Sequence, residues 1–154
     1  MAAAEELDLE DALIKNLDFE YCLEEERLKS FKNWSFKSNC ACTAEKMAEA
    51  GFYHCPTDDE PDLVRCYVCF KELDGWEAND DPWKEHESHS SNCLFVKICQ
   101  KEAELTIENF LKLECERHIN KLKKLAELRT KEFREQGEKA KEKIKEILLE
   151  QCLA

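Results

Sequence analysis

Glycine and proline are scarce, three of each in 154 residues. The chain therefore has no Gly-rich loop to cradle a phosphate, which excludes the usual nucleotide-binding turns. Nor does any apolar run reach the length of a membrane span. Residues 1–30 hold ten acids, no basic n-region and no apolar stretch of signal-peptide length. Export is therefore not expected, and a reducing compartment is. Positive charge is short as well: 23 Lys and Arg face 35 Asp and Glu, a net of −12. The deficit is local. Residues 1–107 hold 11 basic against 25 acidic residues, net −14, whereas residues 108–154 hold 12 against 10, net +2. An acidic first part repels phosphate backbones, so no direct sequence-specific contact with nucleic acid is expected. A cationic partner, such as a Lys/Arg-rich peptide tail, is.

Cysteine, in contrast, is abundant, with ten residues. In a reducing compartment these bind metal or pack as small apolar groups. Cys66-x2-Cys69, then sixteen residues to His86 and six more to Cys93, supplies three thiolates and one imidazole. Zn²⁺ prefers this tetrahedral shell, and four protein ligands leave no open position for an activated water, so one structural zinc is expected. A redox Cys-x-x-Cys would sit at a helix N-terminus in a βαβ pattern, and here the pair lies in a strand-like run. Cys22, Cys40, Cys42, Cys55, Cys99, Cys115 and Cys152 show no ligand spacing, and His54 beside Cys55 has no further pair to complete a second site. No nucleophile–base pair presents itself either, so no enzymatic activity is expected.

Three parts follow along the chain. Residues 1–26 form an acidic leader whose Leu9, Leu13, Leu17 and Tyr21 have the spacing of a short amphipathic helix. Residues 27–97 hold all three prolines and all three tryptophans. Within them, Thr43 reads as the N-cap of a helix that Gly51 stops, and Leu63–Cys69 reads as a strand. Asp74-Gly75 reads as a hairpin turn, and Asp81-Pro82 opens a helix carrying His86 and His89. Residues 98–107 link this part to residues 108–150, a long helix on which Ile119, Leu122, Ala126, Phe133, Ala140, Ile144 and Ile147 form a heptad-like stripe. No second helix of matching length exists, so the stripe calls for other chains.

Arg27-x3-Phe31-x2-Trp34, Gly51-Phe52, Cys66-x2-Cys69, Gly75-Trp76, Asp81-Pro82, Glu85-His86-x2-His89 and Cys93 follow the baculoviral inhibitor-of-apoptosis (BIR) repeat in order and spacing. A single repeat followed by a long helix, with no RING and hence no ubiquitin-ligase module, resembles the survivin-like members of that family. The resemblance implies an α+β fold: a small zinc-binding BIR domain, with a three-stranded antiparallel sheet and short helices, followed by a long C-terminal α-helix. It further implies membership of the chromosomal passenger complex, in which such a helix bundles with helices of borealin and the inner centromere protein and brings Aurora B kinase to centromeres. The expected location is then nucleus and cytoplasm, with centromeres, kinetochores and the spindle midzone in mitosis.

Glu60, Lys71, Asp74, Trp76, Asp80 and His89 match family positions that hold a core-histone N-terminal tail, Ala-Arg-Thr-Lys phosphorylated on threonine. Carboxylates suit the peptide amine and its cationic side chains, and Trp76 offers an apolar wall. Lys71 and His89 supply cations for the phosphate. Ile107 and Phe110 match a seam for a homodimer or partner, where Glu102 replaces an aromatic residue. The family name carries an alternative: inhibition of caspases, or capture of their antagonists through an N-terminal Ala.

Overall fold

A computed structural model describes residues 21–152. Most of the expected leader, including Leu9, Leu13 and Leu17, lies outside the described residues. The chain divides into one compact unit ending at Glu116 and a second beginning at Arg117.

The first unit opens with α1 (Glu24–Ser30), which has three glutamates in its first turn and Arg27 and Lys29 in its last, each favourable to the helix dipole. Helix α2 (Ala44–Glu49) is capped as its sequence expects: the Thr43 side chain accepts from the Lys46 N–H, and Glu45 sits in the first turn. Gly51 follows at φ +88° and ends it. A Cβ at Gly51 would lie 2.7 Å from Cε1 of Phe95. Left-handed strain and overlap with a buried ring add, so Gly51→Ala should lower stability by about 3 kcal/mol in chemical denaturation.

Three short strands, β1 (Phe52–His54), β2 (Val64–Cys66) and β3 (Glu72–Leu73), form an antiparallel sheet in the order β1-β2-β3. Phe52 faces Cys66 and Val64 faces Leu73. The expected Leu63–Cys69 strand is thus cut short at Cys66, and the hairpin turn is not at Asp74-Gly75. The chain turns at Tyr67–Lys71 instead. The Cys66 N–H donates to the Lys71 carbonyl and the Phe70 N–H to the Cys66 carbonyl, both at 3.0 Å, with Phe70 at φ +57°. Asp74 and Gly75 merely follow β3. The cause is Cys66 itself, whose Sγ accepts from the N–H groups of Val68 (3.3 Å) and Cys69 (3.5 Å) and so pulls the chain into a knuckle.

Helix α3 (Pro82–His89) has Pro82 in its first turn, and Asp81 caps it by accepting from the Trp83 and Lys84 N–H groups. A short α4 (Leu94–Ile98) and a 3-10 turn (Glu102–Glu104) complete the small elements. The core gathers Phe31, Trp34, Met47, Phe52, Val64, Val68 and Phe95. At one side lies Arg27, only 2% exposed. Its guanidinium donates to the carbonyls of Tyr21, Cys22 and Ala48 at 2.8–2.9 Å and lies 4.6 Å above the Tyr67 ring. A buried cation persists because carbonyls and an aromatic face replace its water.

The last element, α5 (Ile107–Cys152), is 46 residues long, as the absence of proline and the heptad-like stripe lead one to expect. Among the described residues no helix is long and apolar enough to cross a membrane.

Candidate metal centre and recognition surface

Cys66 ends β2, Cys69 lies in the knuckle, His86 sits on α3 and Cys93 precedes α4. Three separate segments thus converge, and all four donor atoms fall within 4.8 Å of one another. The Cys66 and Cys93 sulfurs are 4.0 Å apart, and Cys69 Sγ lies 3.7 Å from His86 Nε2. Ligands about 2.3 Å from the centre of a tetrahedron sit about 3.8 Å from each other, so these two edges have the length that a metal shell needs.

Its surroundings fit the same purpose. His86 Nδ1 lies 2.9 Å from the Ala50 carbonyl. A carbonyl can only accept, so Nδ1 carries the proton and Nε2 is left to face the thiols. The imidazole packs against Phe52 at 4.6 Å, and Ser90 Oγ donates to Cys69 Sγ at 3.5 Å. Burial pushes the Cys66 thiol up, whereas hydrogen bonds from Cys66 and Cys93 pull Cys69 down. For His86 burial acts downward, but bonds to Cys69 and Cys93 outweigh it and lift the group to about 9. Three sulfurs and a nitrogen that must otherwise share protons form a donor set suited to a dication. These four residues could hold a metal ion, and with all four bound the shell is filled by protein. His54, in contrast, is stacked on Phe31 and bonded to the Pro61 carbonyl at 2.9 Å.

The residues expected to meet a peptide lie in four places along the chain. Glu60 is exposed before β2, Lys71 and Asp74 are exposed on either side of β3, and Trp76 and Asp80 belong to the segment that follows. His89 is exposed at the end of α3, its Nδ1 lying 3.0 Å from the Glu85 carbonyl and 3.6 Å from the Glu85 carboxylate. The Trp76 segment is held firmly. Asp62 Oδ2 accepts from the Trp76 N–H at 2.8 Å, Asp80 Oδ2 accepts from the Glu77 N–H at 2.7 Å, and the Ala41 N–H donates to the Ala78 carbonyl at 2.6 Å. The Trp76 and Phe52 rings meet edge to face with centroids 5.8 Å apart, and Trp76 Nε1 is buried with no hydrogen-bond partner among the described residues. Asp62 was not among the residues singled out in the sequence, although it positions Trp76. Its only signal is a carboxylate placed just before a strand.

A model of the BIR family, the Inhibitor of Apoptosis domain, matches residues 27–97. The chain is 49% identical to baculoviral IAP repeat-containing protein 5 of Cavia porcellus over 125 residues, which is 81% of this chain and 88% of that one. The chain belongs to the baculoviral inhibitor-of-apoptosis family. The mouse form of the same protein, from Mus musculus, is 48% identical over 79% of this chain and 86% of its own. Protein 5.2-A of Xenopus laevis is 51% identical over 70% and 68%. One BIR domain followed by a long helix is the survivin-like layout within the family, and the three-stranded sheet, short helices and α5 are its fold.

Helix α5 carries the residues expected to meet partners. Ile107 is 80% exposed and Phe133 76%; Ile119, Leu122 and Ile144 are also exposed, and Phe110 is half-buried.

Proposed function

We propose that this chain is a non-enzymatic adaptor of the chromosomal passenger complex. Its BIR domain, held by one structural Zn²⁺ on Cys66, Cys69, His86 and Cys93, reads a histone tail bearing phosphothreonine. Its long helix joins helices of borealin and the inner centromere protein, and so brings Aurora B kinase to centromeres. The observation that carries this reading is the contrast between a BIR domain with a buried apolar core and a 46-residue helix on which Ile119, Leu122, Leu128, Phe133, Ile144 and Ile147 stay exposed. An exposed stripe of that length is a surface for other helices.

Two features support the peptide-reading part. The acidic balance of residues 1–107 attracts a cationic tail, and Lys71 stands exposed beside β3 as a charge for the phosphate. Titration with Ala-Arg-Thr-Lys peptides tests it: the phosphothreonine form should bind at least about tenfold more tightly than the unmodified one. Equal affinities would remove the reader role. Preference for the unmodified N-terminal Ala would favour the protease-regulator reading instead.

A further inference from the structure

Beside the buried Arg27, where α1 meets residues 100–110, lies a cavity of about 210 Å³. Leu23, Tyr67, Phe95, Leu105, Ile107 and Phe110 give it apolar walls. All of its lining residues belong to the first compact unit. Drug-sized ligands take sites of about 300–1,000 Å³, so this one has room for a smaller occupant, one alkyl chain or one ring.

The polar part of the lining is one-sided. Three carboxylates, those of Glu24, Glu49 and Glu102, are met among the described residues by two cations. Arg27 directs Nε and Nη1 to backbone carbonyls, and its Nη2 lies 3.7 Å from Glu102 Oε2. That same oxygen accepts from the Glu24 N–H. Lys101 Nζ lies 3.5 Å from Glu49 Oε1. Glu24 is left over: it is half-buried, and its carboxylate makes no hydrogen bond or salt bridge among the described residues. Burial pushes the Glu24 carboxyl up; Arg27 draws it down, while Glu102 and Glu49 push it up again. The site is short of one positive charge.

This chain itself offers poor occupants. Residues 1–20, which lead into the cavity at Cys22, hold seven acids and one lysine. A second copy docked face to face would set the same three carboxylates against their own images. Like charges repel in both cases. Ile107 and Phe110 were expected at a protein seam, with Glu102 in place of an aromatic residue. That replacement changes the chemistry, because an apolar wall gains a carboxylate.

We propose that the cavity binds a small lipophilic primary ammonium, with its alkyl chain or ring against Leu23, Phe95 and Phe110 and its charge facing Glu24 and Glu102. The apolar part leaves water for apolar walls, and the ammonium supplies the donors that the Glu24 carboxylate lacks. Nothing in the adaptor role calls for such a ligand.

The test titrates the full chain with n-octylammonium, n-octanol and n-octanoate, which share a chain length and differ in charge. By calorimetry one octylammonium should bind per chain, at least about tenfold more tightly than octanol, and octanoate should not bind. Glu102→Gln should remove that preference while keeping an oxygen for the Glu24 N–H. Glu24→Gln, which disturbs no bond of the free carboxylate, should remove it equally. Glu87→Gln, the same charge change at an exposed site on α3, should leave it intact. No saturable binding of octylammonium, equal affinity for octanol, or an equal loss in Glu87→Gln overturns the proposal. So does binding that appears only once residues 1–20 are removed, which would give the cavity to the leader. A chain that sediments as a dimer, and as a monomer with Phe110→Glu, would give it to a second copy and overturn the proposal as well.

Discussion

Cys93→Ala should leave residues 27–97 with no cooperative thermal transition. The sheet consists of strands of three, three and two residues, and the donors come from three separate segments. Besides the metal, the knuckle, α3 and α4 meet through the packing of Tyr67 and Trp83 on Phe95. A structural zinc contributes on the order of 10 kcal/mol to a small module, comparable to the whole stability of an ordinary domain. Removing one thiolate opens the shell and leaves Cys66 and His86 buried without the charge that satisfies them. Scanning calorimetry would read the loss directly, and a strong chelator added to the native chain should reproduce it. Cys93→His, which keeps a ligand, should recover part of the transition. A melt within a few degrees of wild type for Cys93→Ala would show that apolar packing suffices.

The second large effect falls on assembly. Phe133→Glu should weaken binding to borealin and inner centromere protein helices by about a thousandfold, or about 4 kcal/mol, because a bulky apolar anchor is lost and a charge must be buried in its place. Ile119→Glu should act in the same direction. Both residues are exposed in the free chain, so neither variant should alter the melt of the BIR domain or the affinity for the histone peptide. Size-exclusion chromatography of the reconstituted complex, with peptide titration of the same samples, separates these outcomes. Loss of both activities together would mean that the two surfaces are not independent.

Much of this was legible in the residues because the signals were local or chemically unambiguous. Thr43 and Asp81 cap the helices that follow them, since a short polar side chain before a helix has few other roles. Cys66, Cys69, His86 and Cys93 were recognisable from spacing and donor type, and they do converge. The long helix followed from periodicity and the absence of proline.

The misplaced turn shows where such signals stop. Asp74-Gly75 has the composition of a hairpin turn, yet the chain reverses earlier, through a non-glycine residue, Phe70, at positive φ. Turn statistics assign that conformation to glycine or asparagine. They do not foresee that the sulfur of Cys66 gathers two backbone N–H groups and dictates the reversal. Arg27 was visible only as part of a family motif. Its burial against the Tyr67 ring and the Ala48 carbonyl depends on segments distant in sequence, and nothing in its neighbours announces it. Asp62 is similar: its partner, the Trp76 N–H, is fourteen residues away.

In the proposed reading the metal underlies the peptide surface, because it ties the knuckle, α3 and the residue before α4 to one another beneath Trp76 and Lys71. Elemental analysis of the purified full chain tests this most directly. One zinc atom per chain is expected, falling to none in Cys93→Ala. A well-folded chain containing no stoichiometric metal, or one whose metal survives that substitution unchanged, would contradict it.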